Sequence, residues 1–279
     1  MTKGFFTDTT LCIGCKACEV ACKQWNQLPG DNYEFTGMSY DNTAALGATT
    51  WRHVAFVEQM GTANGASHSI ANGATAIAER VSNPASGFLG ENRWLMMSDV
   101  CKHCANAGCL NACPTGAIIR NEFGDVYVQP DICNGCGYCQ PACPFGVIEV
   151  SHDDGRAWKC TLCYDRQKDG LEPACAKACP TQSIQFGEVE ELRTRARERV
   201  GMLHERGVTD AYLYGVDENT SVGPLNAFFL LVDQPEVYNL QERPHLQQAK
   251  IGRSYLATGL TALAFGAATA LLLLGGRRK

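Results

Sequence analysis

The sequence predicts an α+β protein made of two nested cysteine-rich modules, a C-terminal extension and one transmembrane helix. Three observations lead to this prediction: sixteen Cys residues fall into four groups of four, helix and strand signals surround those groups, and an uncharged run lies near the C-terminus. A chain of 279 residues with 45% hydrophobic content is also long enough to bury a core.

The charge pattern argues against one class of partner. The net charge of -5 comes from 24 basic and 29 acidic residues, and the sequence lacks the basic block that binding to a phosphate backbone requires. We therefore expect no nucleic-acid partner.

The cysteines form four quartets, and no Cys lies outside them. The quartets are Cys12, Cys15, Cys18, Cys22; Cys101, Cys104, Cys109, Cys113; Cys133, Cys136, Cys139, Cys143; and Cys160, Cys163, Cys175, Cys179. Disulfide frameworks belong to short secreted domains, and no secretory signal is visible at the N-terminus. Tetrathiolate zinc sites also use Cys-x2-Cys, but they combine two separated pairs and not three closely spaced cysteines followed by a fourth.

The spacing favours iron-sulfur clusters. The first and third quartets read Cys-x2-Cys-x2-Cys-x3-Cys, and the third continues into Pro144, as in the bacterial ferredoxin run that binds a 4Fe-4S cluster. The second and fourth quartets keep the final Cys-x3-Cys-Pro and lengthen the loop before it. Because all sixteen positions are Cys, a 3Fe-4S site finds no support, and we predict four 4Fe-4S clusters.

In two-cluster ferredoxins the fourth Cys of each run binds the neighbouring cluster, so every quartet needs a partner quartet. The second and third are close in sequence and form one pair, which leaves the first and fourth to pair around them. The predicted ligand sets are Cys12, Cys15, Cys18 with Cys179; Cys160, Cys163, Cys175 with Cys22; Cys133, Cys136, Cys139 with Cys113; and Cys101, Cys104, Cys109 with Cys143.

This pairing predicts the domain organisation. Residues 1–100 and 144–187 form module 1, with an insertion at 23–100, and residues 101–143 form the inserted module 2. Residues 188–250 form an α/β extension and residues 251–279 a membrane anchor. Within the insertion, residues 61–90 are rich in Gly, Ala, Ser and Asn and are expected to form a surface loop.

Several elements follow from local patterns. We expect a hairpin around Asn121–Asp125, a strand at 183–186, a helix at 190–206 ending near Gly207, and strands at 211–214 and 228–232. No arrangement typical of a catalytic site or of a nucleotide-binding loop is present, so the chain is expected to carry electrons without a substrate site of its own.

The uncharged run 254–274 would extend roughly 31 Å as a helix, which is enough to cross a bilayer. A buried helix of a soluble protein is the alternative, since Ala, Gly and Thr lower the hydrophobicity. Three basic residues flank the run on each side, and the C-terminal three, Arg277, Arg278 and Lys279, lie nearer to it. Basic residues collect on the cytoplasmic side of a membrane, so this position favours a cytoplasmic C-terminus and a cluster domain on the periplasmic or outer face. A cluster domain on the cytoplasmic face is the alternative.

Four basic residues stand beside predicted ligands: Lys16, Lys102, His103 and Lys159. Their charge or their hydrogen bonds to sulfur would tune cluster potentials. Solvated or purely structural side chains are the simpler interpretation.

The segments Cys12–Asn26, Cys160–Cys163 and Glu172–Cys175 resemble the iron-sulfur beta subunit of membrane-bound formate dehydrogenases, within the four-cluster subunits of molybdenum and tungsten oxidoreductases. The resemblance implies a pterin-containing alpha subunit that oxidises formate, and a cytochrome b gamma subunit in the membrane that passes electrons to quinone. It also implies a cluster order: the Cys12 set beside the alpha subunit, then the Cys160, Cys133 and Cys101 sets. The alternatives are an equivalent electron-transfer subunit of a hydrogenase or of a polysulfide, dimethyl sulfoxide or nitrate reductase, and a free-standing polyferredoxin.

Overall fold

The computed structural model describes residues 1–30, 33, 37, 40–61, 67–71, 74–76 and 93–275. Seven helices are present in these residues: α1 Ala17–Asn26, α2 Gly108–Ala112, α3 Cys139–Ala142, α4 Tyr164–Lys168, α5 Ala174–Lys177, α6 Val189–Glu205 and α7 Ile251–Gly275. The strands are β1 Lys3–Asp8, β2 Arg52–Gly61, β3 Ser67–Ala71, β4 Ala74–Ala76, β5 Arg93–Val100, β6 Ile118–Arg120, β7 Val126–Val128, β8 Glu149–Val150, β9 Ala157–Trp158, β10 Ile184–Glu188, β11 Tyr212–Tyr214 and β12 Ala227–Leu231.

A four-stranded sheet of order β10-β1-β12-β11 brings the N-terminal strand together with strands from residues 184–231. Strand β1 runs antiparallel to β10 and parallel to β12. Every residue of the apolar strand β12 is buried, because helix α6 covers one face of the sheet and the cysteine-bearing loops lie towards the other. The predicted extension therefore completes the same sheet as the start of module 1.

A second sheet, of order β4-β3-β2-β5, holds the described part of the insertion. The long antiparallel pair β2–β5 packs Val54 and Val100 into the cysteine-containing core. Parts of the predicted 61–90 loop are thus strands β3 and β4, which extend this sheet. Gly61 is the last residue of β2, and the loop's other residues lie outside the described part of the chain.

The helices that follow the cysteine loops differ in length for a reason visible in the sequence. Three of the quartets are followed by Pro, and α2, α3 and α5 all end before that residue. Proline disfavours helical conformation in the preceding residue, so these helices stay at one turn. In the first quartet Lys23 follows Cys22, and α1 continues to Asn26.

The local predictions are confirmed. Strands β6 and β7 form the expected antiparallel hairpin, β10 and α6 lie where the pattern placed them, and β11 and β12 pair antiparallel. Gly207 has a φ of +87°, the left-handed conformation of a residue just past a helix end.

The predicted transmembrane helix is not confirmed. Helix α7 occupies the expected stretch and its described side chains are exposed. Nevertheless, among the residues described by the structure no helix combines the length and hydropathy needed to cross a membrane. The predicted orientation depended on that span and stays untested.

Gly4 offers a test of the central sheet. A Cβ at this position would lie 1.9 Å from the Asn226 carbonyl oxygen, so Gly4→Ala is expected to destabilise the protein by about 1–3 kcal/mol through overpacking. Gly201→Ala is the matched control, because a Cβ there meets nothing within 4 Å, and it should stabilise α6 by about 0.5–1 kcal/mol. Thermal unfolding followed by circular dichroism measures both effects. An unchanged midpoint for Gly4→Ala would contradict this packing.

Candidate iron-sulfur centres

The first group of cysteines lies between β1, α1 and α5. Its sulfur-bearing residues line one cavity together with Ser98, Ser183 and Ile184; they are Cys12, Cys15, Cys18 and Cys179. Cys15 is exposed, so this group, which we call group A, reaches the protein surface.

The second group, group B, is buried. Its cavity is lined by Cys22, Cys160, Cys163 and Cys175. Phe5, Trp51 and Arg52 complete its wall, and all four cysteines are buried. Apolar residues of this wall, such as Phe5 and Trp51, keep water away from the sulfur atoms of group B.

The remaining eight cysteines belong to module 2. Group D lines one cavity and consists of Cys113, Cys133, Cys136 and Cys139. Group C consists of Cys101, Cys104, Cys109 and Cys143. Its members lie close enough that, after burial, the charges of Cys101, Cys143 and Cys109 raise the pKa of Cys104.

In each group, the fourth Cys of one quartet stands with three cysteines of another quartet. Cys22, for example, lies on α1 beside Cys18 in sequence but lines the cavity of group B, while Cys179 lines that of group A. The four groups thus bring together the same residues as the four predicted ligand sets. That these residues bind clusters stays a prediction.

The groups follow one another in the order A, B, C, D. Cys18 of A lies near Cys175 of B, Cys160 of B lies near Cys101 of C, and Cys109 of C lies near Cys139 of D. The order implied by the resemblance, with the Cys133 set third and the Cys101 set last, is therefore wrong in its final two positions. Group C sits between B and D, where its Cys101 sulfur accepts from Lys159, the residue next to Cys160 of group B.

Burial controls the chemistry of these thiols. It raises the pKa of Cys18 and of Cys109 to about 12, although the cations Arg52 and Lys159 respectively oppose these shifts. Burial also raises the pKa of Cys139 and of Cys163 to about 11. A buried thiolate becomes favourable only beside positive charge, which a coordinated metal supplies.

Three of the basic residues noted beside the ligands are buried, which contradicts a solvated role for them. Lys102 pairs with Asp99 and lies over the rings of Phe145 and Phe229, while Lys159 donates to the Cys101 sulfur at 3.4 Å. The ring of His103 accepts the Val126 amide through Nδ1. Lys16 is partly exposed and pairs with Glu19 and Asp41.

Sequence reasoning missed Arg52, which is 1% exposed and lies between groups A and B. It is far in sequence from every Cys, and the only available signal is a cation at the start of the apolar strand β2. Its placement results from the pairing of β2 with β5 and not from any motif.

The residues present fit iron-sulfur clusters. Four thiol groups surround each cavity, and the buried Arg52 Nε at the wall of the group B cavity has no hydrogen-bond partner among the described residues. A cluster sulfide is an acceptor that this N–H lacks. In the same part of the chain, no three His, Cys, Asp or Glu side chains are arranged around a single metal ion.

Comparison with known proteins gives two matching family models, both described as a 4Fe-4S dicluster domain, over residues 11–117 and 92–189. The formate dehydrogenase iron-sulfur subunit of Haemophilus influenzae is 39% identical over 239 residues, which cover 83% of this chain and 66% of that protein. The nitrate-inducible formate dehydrogenase iron-sulfur subunit of Escherichia coli is 39% identical over 235 residues, covering 83% and 69%. The aligned region thus spans about two thirds of the length of each of these relatives.

A relative with another function is more distant. The B subunit of the anaerobic dimethyl sulfoxide reductase of Escherichia coli is 32% identical over 197 residues, covering 69% of this chain and 76% of that protein. Each of these relatives is named as a subunit or chain of a dehydrogenase or a reductase.

The donor sets predict the metal content. Anaerobically purified protein should contain about sixteen irons and about sixteen acid-labile sulfides per chain, as four cubane clusters require. Metal analysis and sulfide assay measure both, and dithionite should bleach the broad visible absorbance. Reproducible zinc with neither iron nor sulfide would overturn the assignment.

Proposed function

Because this protein belongs to the family of formate dehydrogenase iron-sulfur subunits, we propose that it carries electrons from a formate-oxidising partner subunit to a membrane cytochrome b and quinone. The partner would hold a molybdenum or tungsten pterin. The observation that carries the proposal is the continuous row of sixteen cysteines, in groups A, B, C and D, through the protein core.

Each group would hold one 4Fe-4S cluster, with the ligand sets that cross between quartets. The cavities lined by groups A, B and D, and the mutual proximity of the four group C cysteines, support this assignment. When bound, such a cluster takes up and releases one electron at a time. The protein provides the thiolates, excludes water and fixes the spacing between successive sites.

The two ends of the row differ from its middle. Cys15 in group A and Cys136 in group D are exposed, whereas all four group B cysteines are buried. Residues of the extension also cover group C, where the Ala105 amide donates to the Pro224 carbonyl oxygen at 3.0 Å. These observations support electron entry and exit at the two ends. We assign entry to group A, which the resemblance implies lies beside the pterin subunit, and exit to group D.

Formate oxidation fits a relay of single-electron carriers. Formate gives carbon dioxide, one proton and two electrons, and the two electrons would enter group A one after the other. No proton needs to travel with them through the buried groups. The protein itself would take up no formate, because its proposed role starts after the carbon–hydrogen bond has been broken in the partner.

A related function is the runner-up. The similarity to the dimethyl sulfoxide reductase subunit suggests a protein that feeds electrons into a terminal reductase, which reverses the direction of flow. The identity is lower than to the formate dehydrogenase subunits, and the alignment covers less of this chain. We therefore favour formate as the electron source.

Purification of the complex distinguishes these two functions. We expect a copurifying large subunit that contains molybdenum or tungsten. We also expect formate to reduce the clusters of the complex at least as fast as the complex turns over formate. Absorbance and paramagnetic resonance report the reduction. A complex whose dithionite-reduced clusters are oxidised by dimethyl sulfoxide, and which formate leaves oxidised, would establish the runner-up instead.

The crossed ligand sets give a sharper test. Cys22→Ser should perturb the group B cluster, whereas Cys179→Ser should perturb the group A cluster, because each residue lines the cavity of the other quartet. Paramagnetic resonance of the reduced complex separates the two signals. Either variant should slow formate-to-quinone transfer by breaking the relay, while artificial acceptors that react with the pterin subunit are still reduced.

Cys12→Ser provides the matched comparison for this test, since Cys12 also belongs to group A. It should damage the same signal as Cys179→Ser. If Cys22→Ser and Cys12→Ser damaged one and the same cluster, the uncrossed arrangement would be correct.

A further inference from the structure

The boundary between groups A and B contains a buried arginine. Arg52 Nη2 donates to the Cys175 sulfur of group B at 3.2 Å. Its Nη1 approaches the Ser98 hydroxyl at 3.4 Å, and that hydroxyl lies 3.2 Å from the Cys18 sulfur of group A. One guanidinium thus connects the sulfur atoms of two groups through hydrogen bonds.

Within the described part of the chain, no carboxylate forms an ion pair with Arg52. Its guanidinium carbon lies 4.7 Å from the centroid of the Phe5 ring, and Nη1 also donates to the Ser98 carbonyl. Burial disfavours the charged form, but the thiolates of Cys175, Cys18 and Cys160 raise the pKa of Arg52. The positive charge is therefore directed at the cysteine groups themselves.

The boundary between groups B and C has the same design. Lys159 is fully buried, and its Nζ donates to the Cys101 sulfur of group C at 3.4 Å and to the carbonyl of Cys160 in group B at 3.0 Å. A third bond reaches the Val126 carbonyl. Burial raises the pKa of the Asp125 carboxyl to about 6, and the nearby Lys159 opposes this rise. The contacts of the described residues include no ion pair between Asp125 and Lys159.

We propose that Arg52 and Lys159 set the reduction potentials of the clusters on either side of them and link consecutive clusters of the relay. A fixed positive charge, and an N–H bond to a ligand sulfur, both stabilise the reduced cluster, which carries one more negative charge. Each cation acts on the two clusters beside it and raises the reduction potential of both. An electron on one of these clusters therefore has a neighbouring cluster of similar potential to move to. The proposal rests on the cluster grouping proposed above and is independent of formate as the electron source.

The test is a redox titration of the intact complex followed by paramagnetic resonance. Arg52→Gln should lower the potentials of the A and B clusters by at least about 59 mV, which is a tenfold change in a one-electron equilibrium. The D cluster should titrate as in the wild type. Lys159→Gln should lower the potentials of the B and C clusters and leave A unchanged. Arg52→Lys keeps the positive charge but loses the forked guanidinium donor. The potentials of the A and B clusters in this variant should therefore lie much closer to the wild-type values than those of Arg52→Gln.

Arg197→Gln is the matched control, because it removes an exposed arginine on helix α6, and it should shift no cluster. Iron content of every variant shows whether all four clusters are present. Unchanged potentials in both Gln variants, or one equal shift of all four clusters, would overturn the proposal. Loss of formate activity with the expected shifts in potential would instead contradict the proposed function alone.

A measurement on the wild-type protein covers the case in which removal of the charge prevents cluster assembly. With arginine labelled with ¹⁵N in its guanidino group, pulsed paramagnetic resonance should detect ¹⁵N coupling on the group A and group B clusters. Arg166, near group B, stacks on Trp25 and donates to the Glu172 carbonyl, and Arg199, near group A, donates to Asp8 and to the Thr10 hydroxyl. Loss of the ¹⁵N coupling in Arg52→Lys therefore identifies Arg52 as its source. Absence of ¹⁵N coupling at both clusters would refute the contact.

Discussion

Burial of many thiolates inside one small protein is the constraint on which the rest of this structure depends. A thiolate removed from water is unfavourable unless positive charge lies close to it. In this protein two sources are available: the iron of the proposed clusters, and the buried cations Arg52 and Lys159, which donate directly to ligand sulfur. The apolar core around groups B and C keeps solvent from stabilising the charge there, so the buried cations and the proposed clusters would do so instead.

The crossed pairing of quartets has a structural consequence as well. Cys22 and Cys179 each stand with cysteines from the other end of module 1, so a cluster at either site would join the N-terminal loop to the segment before β10. The β1–β10 and β1–β12 pairings join the same regions through backbone hydrogen bonds. Metal binding and sheet formation would therefore stabilise the same topology, as in other proteins whose fold depends on metal ligation.

The insertion and the extension contribute residues that surround the ferredoxin-like core. Strand β2, at the start of the described insertion strands, contributes Arg52 to the boundary of groups A and B. The extension covers group C through the backbone near Pro224 and through Gln248, whose amide donates to the Gly108 carbonyl. Segments that carry no cysteine therefore determine which sulfur atoms are protected from water and which, at Cys15 and Cys136, remain accessible to a partner.

The sequence by itself determined the features that depend on short-range spacing. The quartets, the one-turn helices that stop before Pro114, Pro144 and Pro180, the hairpin around Asn121–Asp125 and helix α6 all follow from residues close together in the chain. Only the tertiary structure decided the order of the groups, the inclusion of β12 beside β1, and the position of Arg52. These features depend on which distant strands pair, and no local pattern records that choice, because the same strand sequence can pair with several partners of similar hydrophobicity.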